Sequence, residues 1–244
     1  MNTVTILFEN DDVLVVNKPA GLLVHADGKS DKETLVDFIL TERPSIAGVG
    51  EPMVVDGKRI DRPGIVHRLD EETSGVIIIA KHQESFEHLK QQFQDRTVQK
   101  EYHSFVWGHF KEDSGVVDAP IGRNKGDFRR WHAGRGIRGE AREATTYWQV
   151  LSQFTEENGE LFAFMKLLPK TGRTHQLRVH MKYLQRPIVS DTLYAPTKPD
   201  ALGFTRVALH ARTVSFLSLT GDTVEVTAPY PEDFEVALAK HVNV

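Results

Sequence analysis

Two short segments hold the residues best suited to chemistry. The first is His67-Arg68-Leu69-Asp70-Glu71-Glu72-Thr73-Ser74-Gly75; the second is Lys170-Thr171-Gly172-Arg173-Thr174-His175-Gln176-Leu177-Arg178-Val179-His180. A carboxylate ahead of Thr-Ser-Gly can accept backbone N–H bonds in a turn, or it can serve as a nucleophile or base. The turn is the commoner use of such a string. In the second segment a cation can hold a nearby carboxylate ionised, and further cations can bind phosphates. The same string also reads as a basic amphipathic helix, with Thr174 placed to cap it.

Other chemistries find little support. Gly28-Lys29-Ser30 resembles the end of a phosphate-binding loop, but position 23 is Leu23 where that motif needs glycine. His175 and His180 are five apart, which on a helix sets them about 140° apart, too far round to share a metal. No His-Glu-x-x-His and no Gly-x-Ser-x-Gly occurs, so neither a zinc protease nor a serine hydrolase is supported. The absence of cysteine excludes disulfides, Cys-ligated zinc and a thiol nucleophile, and it fits a reducing cytoplasm.

With 244 residues, 40% of them hydrophobic and 26% charged, the chain has the composition of a globular protein able to bury a large core. Its N-terminus lacks a basic leader with an apolar stretch behind it, so no signal peptide is expected. The apolar run Val76–Ala80 is far too short to cross a bilayer. The net charge of −4 argues mildly against nucleic acid, but the distribution does not. Arg123, Lys125, Arg129, Arg130, Arg135, Arg138 and Arg142 crowd one stretch, and Lys166, Lys170, Arg173, Arg178, Lys182 and Arg186 another that contains no acid. Local positive faces bind phosphates whatever the net charge.

The elements that must position these residues follow from periodicity. Strands are expected at Val4–Phe8, Val13–Val16, Val76–Ala80, Tyr102–Trp107, Thr145–Leu151 and Leu161–Leu168, with short ones at Ala208–His210, Thr213–Leu217 and Val224–Thr227. Helices are expected after a capping box at Ser30-Asp31-Lys32-Glu33, over Glu84–Asp95, and over His175–Leu184. The stretches 45–62 and 115–139 read as loop. Strands outnumber helices and lie in hairpin-like runs, which predicts an α+β fold with a largely antiparallel sheet.

Taken together, the two segments resemble the RluA family of pseudouridine synthases. Further stretches match in the same order: Asn17-Lys18-Pro19-Ala20-Gly21, Lys100-Glu101-Tyr102, Ala119-Pro120-Ile121-Gly122-Arg123, Pro187-Ile188-Val189 with Asp191 and Tyr194, and Leu209-His210-Ala211. There are departures. Arg142 stands where lysine is usual, and Ser190 and Ala195 where glycines are usual. The resemblance implies the pseudouridine-synthase fold, with a long mixed, mostly antiparallel sheet, flanking helices and a central catalytic cleft. It implies one catalytic domain of two lobes, without the small N-terminal S4 module of many relatives.

The resemblance also implies the reaction. Such enzymes cleave the N1–C1′ bond of uridine, turn the uracil, and rejoin it through C5, with no cofactor and no metal. Asp70 is the implied catalytic carboxylate, acting covalently at C1′ or on a glycal or oxocarbenium-like species. Arg173 is its implied cationic partner, and Tyr102 stacks on the uracil. Leu177 packs against the base or serves as helix core. Arg68 could fill the space left by a flipped base. His67, Lys100, Arg123, Arg129, Arg130 and Arg178 are further candidate RNA contacts, and Phe128 and Trp131 are aromatics within the basic stretch. The expected partner is ribosomal or transfer RNA, with no membrane, and the protein is expected to be a cytoplasmic monomer. The alternatives are a non-catalytic RNA-binding module of the same fold and a hydrolase using Asp70 as nucleophile.

Overall fold

A computed structural model describes residues 3–28, 31–55, 57–127 and 129–242. The chain divides into two compact units, the first comprising residues 1–99 and 211–229, the second residues 100–210 and 230–244.

The first unit opens with β1 (Thr5–Glu9) and β2 (Val13–Lys18), paired antiparallel across a tight turn. Asn10 makes that turn, its side chain accepting from the backbone N–H groups of Asp12 and Val13. Helix α1 (Leu35–Glu42) is capped by Thr34, whose hydroxyl accepts from the Asp37 N–H while the Asp37 carboxylate accepts from the Thr34 N–H at 2.8 Å. The capping box therefore begins four residues later than Ser30, which lies, with Lys29, outside the described residues. The stretch expected as loop before Arg62 contains a short hairpin, β3 (Met53–Val55) and β4 (Lys58–Ile60).

Strand β5 (Ser74–Ala80) is buried at every position, as a run of β-branched residues without polar alternation requires. Each of its isoleucines contributes about 1.5–3 kcal/mol by leaving water. Helix α2 (Gln83–Gln94) buries Phe86 and Leu89 at the expected spacing.

The second unit begins on β6 (Gln99–Trp107), followed by β7 (Ser114–Asp118), β8 (Ile121–Asn124), β9 (Trp131–Ala133), β10 (Ile137–Arg142), β11 (Thr145–Thr155) and β12 (Leu161–Pro169). Its main sheet runs β6-β12-β11-β7, and a separate three-stranded sheet runs β10-β8-β9. The stretch 115–139 is thus mostly strand rather than loop. Its glycines and arginines hide the period-2 signal, but backbone pairing does not depend on side-chain type. Helix α3 (Gln176–Tyr183) packs Leu177, Val179 and Met181 into the core of this unit.

Strand β13 (Leu209–Leu217) is one strand, not the two expected. After Leu209 and His210 the chain re-enters the first unit, where β13 pairs with β14 (Thr223–Thr227). There the sheet runs β1-β2-β5-β13. The pairings β1–β2, β2–β5, β13–β14, β6–β12, β11–β12 and β7–β11 are all antiparallel. A final helix, α4 (Glu232–His241), was not anticipated. Its signal lay in Pro231 ahead of acidic residues, with Phe234, Ala237 and Leu238 at helical spacing. The Arg206 guanidinium grips Asp233 in its first turn at 2.7 Å.

Candidate active site

Asp70 lies in the first unit, in a turn closed by the Thr73 N–H donating to the Asp70 carbonyl at 3.1 Å. Asp70 is half-buried, and Leu69 beside it is buried. Three ties fix this turn. On one flank, the Glu71 carbonyl accepts from the Gly21 N–H at 2.9 Å and from Lys18 Nζ at 3.0 Å. Lys18 is fully buried, and its ammonium also donates to the carbonyls of Pro19 and Leu22 at 2.9 and 2.8 Å. A buried ammonium is tolerable only when its donors are matched, and three carbonyls match them. On the other flank, His67 Nε2 accepts from the Ile78 N–H at 2.8 Å, and its ring stacks on Phe93. His67 thus pins this flank of the turn to β5. Behind the turn, Gly75 has φ +119°, and a Cβ there would lie 2.2 Å from the Ala211 carbonyl oxygen. Only glycine fits.

The second unit carries Tyr102 and Arg173. Tyr102 sits on β6 opposite Leu167 of β12, half-buried against the core. The adjacent Lys100 is held in low-dielectric surroundings, and burial pushes its ammonium down to about 8. On the other face of β6, Glu101 pairs with Lys166 and with His103 Nε2.

Arg173 lies in the loop before α3, and Gln176 builds that loop. The Gln176 Oε1 accepts from the Arg173 N–H at 3.0 Å and the Thr171 hydroxyl at 2.7 Å, while its amide donates to the Thr145 carbonyl and the Thr146 hydroxyl. Arg173 Nε donates to the Glu143 carbonyl at 2.9 Å. The helix is not capped by Thr174. His175 takes the N-cap position in the left-handed region at φ 55°, without a side-chain cap. Its Nδ1 lies 2.9 Å from the Tyr194 hydroxyl, which accepts from the Trp131 N–H. His180 is a core residue, between the Thr146 hydroxyl and the Ala119 carbonyl.

Two of the expected contacts lie inside the second unit. Leu177 is core, at 6% exposure. The Arg178 guanidinium is buried and bidentate to Asp191, with Nε and Nη2 each 2.8 Å from a carboxylate oxygen. That geometry makes Arg178 an internal structural cation. Ser190, next to Asp191, has φ 54°, which explains why glycine suits that position, and its hydroxyl donates to the Phe204 carbonyl.

In the basic stretch, the Arg123 guanidinium stacks over Trp131 at 4.3 Å. Arg129 and Arg130 both pair with Asp127. Arg129 holds the Asp127 carboxyl down at about 2. Part of the positive charge read from the sequence is thus spent locally. Phe128 lies outside the described residues. Among the described residues no cluster of three metal-ligating side chains occurs, and no helix is long and apolar enough to cross a membrane.

The model of the RNA pseudouridylate synthase family matches residues 12–183, and the chain belongs to that family. It is 38% identical over 229 residues to an uncharacterized RNA pseudouridine synthase, YlyB, of Bacillus subtilis, covering 93% of this chain and 69% of that protein. It is 36% identical over 242 residues to the ribosomal large subunit pseudouridine synthase D of Xanthomonas campestris, covering 94% and 67% respectively. Among solved structures, human RNA pseudouridylate synthase domain containing 1 superposes with a TM-score of 0.72 at 27% identity, covering 94% of this chain and 84% of that one. The α+β fold is the pseudouridine-synthase fold, and the chain is an RNA pseudouridine synthase, an isomerase whose substrate is RNA.

Proposed function

We propose that this synthase acts on large-subunit ribosomal RNA with Asp70 as its catalytic carboxylate. The observation that carries the residue assignment is the Asp70 turn itself, clamped by the buried Lys18 ammonium through the Glu71 carbonyl. Investing a buried cation in a surface turn is costly unless the turn must be held in one geometry. The similarity to a ribosomal large subunit synthase supports the substrate, and synthase names among the relatives favour turnover over a purely binding role.

In this reading the Asp70 carboxylate meets C1′ as the N1–C1′ bond breaks and the electron pair leaves with uracil. The base turns, the C5–C1′ bond forms, the C5 proton passes to water, and N1 takes up a proton in its place. Atoms balance without an added reactant. Tyr102 stacks on the uracil, and Arg173 keeps the carboxylate ionised. Arg68, exposed at the start of the turn, enters the stack vacated by the flipped uridine. Lys100, Arg123, Arg129 and Arg130 bind phosphates. The enzyme works as a cytoplasmic monomer through one catalytic domain of two lobes.

The test is RNA tritiated at uracil C5. Wild-type protein should release tritium to water from large-subunit ribosomal RNA, and Asp70→Ala should release none. Release from transfer RNA alone would overturn the substrate, and full release by Asp70→Ala would overturn the carboxylate.

A further inference from the structure

Arg68 is held by a residue that the reaction does not call on. Its Nη1 lies 3.2 Å from Nε2 of His25, a histidine only 5% exposed. A guanidinium can only donate, so His25 Nε2 is the acceptor and carries no proton. The other ring nitrogen, Nδ1, lies 2.9 Å from the Ala26 carbonyl. A carbonyl can only accept, so the proton sits on Nδ1. A single tautomer of the neutral ring satisfies both partners. The imidazolium form would turn a donor and a positive charge against the guanidinium.

The backbone under His25 is fixed as well. Leu23 and Val24 accept from the Leu35 and Val36 N–H groups at the start of α1, at 2.8 and 3.1 Å. The segment carrying His25 is the one that carries Lys18 and Gly21. The stretch 18–25 thus clamps the Asp70 turn on both sides, at Glu71 through Lys18 and at Arg68 through His25.

We propose that His25 is a positioning residue whose neutral ring presets Arg68 beside the Asp70 turn, and that its protonation releases Arg68. The proposal rests on Arg68 entering the RNA stack. An arginine already held in one rotamer loses less freedom on binding than a free one. The charged groups facing the ring are Arg68, Arg62 and Asp27. Burial favours the neutral ring most, with Arg68 and Arg62 acting in the same direction, while the Ala26 carbonyl and Asp27 oppose it. His25 therefore protonates below the ordinary histidine range.

The contact is tested on the full chain by NMR of the imidazole nitrogens. At pH 7.5 His25 should be the Nδ1–H tautomer, and Arg68→Ala should raise its midpoint. An Nε2–H tautomer, or an unmoved midpoint, overturns the proposal. The consequence is tested by tritium release from a folded large-subunit ribosomal RNA transcript and from a short unstructured oligonucleotide of the same sequence. His25→Phe should lower kcat/KM on the folded transcript about tenfold and on the oligonucleotide less. It should also abolish the acid limb due to His25 and add nothing to Arg68→Ala. His25→Gln, which keeps an acceptor, should recover most of the rate. Equal losses on both RNAs, or losses additive with Arg68→Ala, overturn the positioning role. If wild-type protein releases no tritium from either RNA, the functional reading fails, while the NMR result still decides the contact.

Discussion

The ammonium of Lys18 donates to the Glu71 carbonyl at 3.0 Å, across 53 residues of chain and one residue past Asp70. This bond ties the Lys-Pro-Ala-Gly stretch to the Asp70 turn. Lys18→Met keeps the apolar stem and strips the donor from three carbonyls. Unmatched buried polar groups cost about 1–3 kcal/mol, so urea unfolding should show at least that loss. Displacing a reacting group by about 1 Å can cost about a hundredfold in rate, and tritium release should fall on that order. Lys32→Ala, which removes an exposed pair with Glu71, should leave stability nearly unchanged.

Gly75→Ala should be severe. The added Cβ meets the Ala211 backbone, which cannot swing aside as a side chain would, and φ is positive. Overpacking of about 1–3 kcal/mol adds to backbone strain of about 1–3 kcal/mol. Gly221→Ala is the control, since that glycine also has positive φ but nothing within 4 Å. Thermal melting should show a clearly larger fall for Gly75→Ala. Equal falls would show that strain alone decides.

Arg178 and Arg123 should separate by the salt dependence of RNA binding. Arg178→Met leaves the buried Asp191 carboxylate without its bidentate partner, costing about 3–5 kcal/mol of stability. At temperatures where the variant is folded, the slope of log affinity against log salt should match wild type. Arg123→Ala should leave stability nearly unchanged and lower that slope by about 1. A reduced slope for Arg178→Met would return it to the RNA surface.

Lys100 yields a pH dependence. In the folded protein its ammonium loses a proton at about 8, against 10.5 ordinarily. Between those values the unfolded chain binds more protons, so the Lys100 contribution to stability rises with pH. RNA affinity should move oppositely, because the proposed phosphate contact of Lys100 is lost as its ammonium discharges through about pH 8. Lys100→Arg stays charged and should flatten the affinity profile over that window. An unchanged profile would remove Lys100 from the RNA surface.

The family was legible in the residues because its motifs reside in side-chain identity and order. Asp70, Tyr102 and Arg173 stand in strings whose order along the chain names the family, and β5 and α2 announce themselves by period. What remained unreadable depends on partners far apart in sequence. Nothing local distinguishes the Arg178 guanidinium, sealed against Asp191, from the Arg123 guanidinium, stacked on Trp131; only burial does. Nothing local shows that Gln176 holds the Arg173 loop, or that His25 faces Arg68 across 43 residues. The glycine- and arginine-rich stretch around β8, β9 and β10 reads as loop because its side chains carry no alternation, yet its backbone finds a ladder. Side-chain type sets which reactions are open to the chain. Tertiary packing decides which charges are paired inside and which remain for RNA, because desolvation and hydrogen-bond matching depend on neighbours in space.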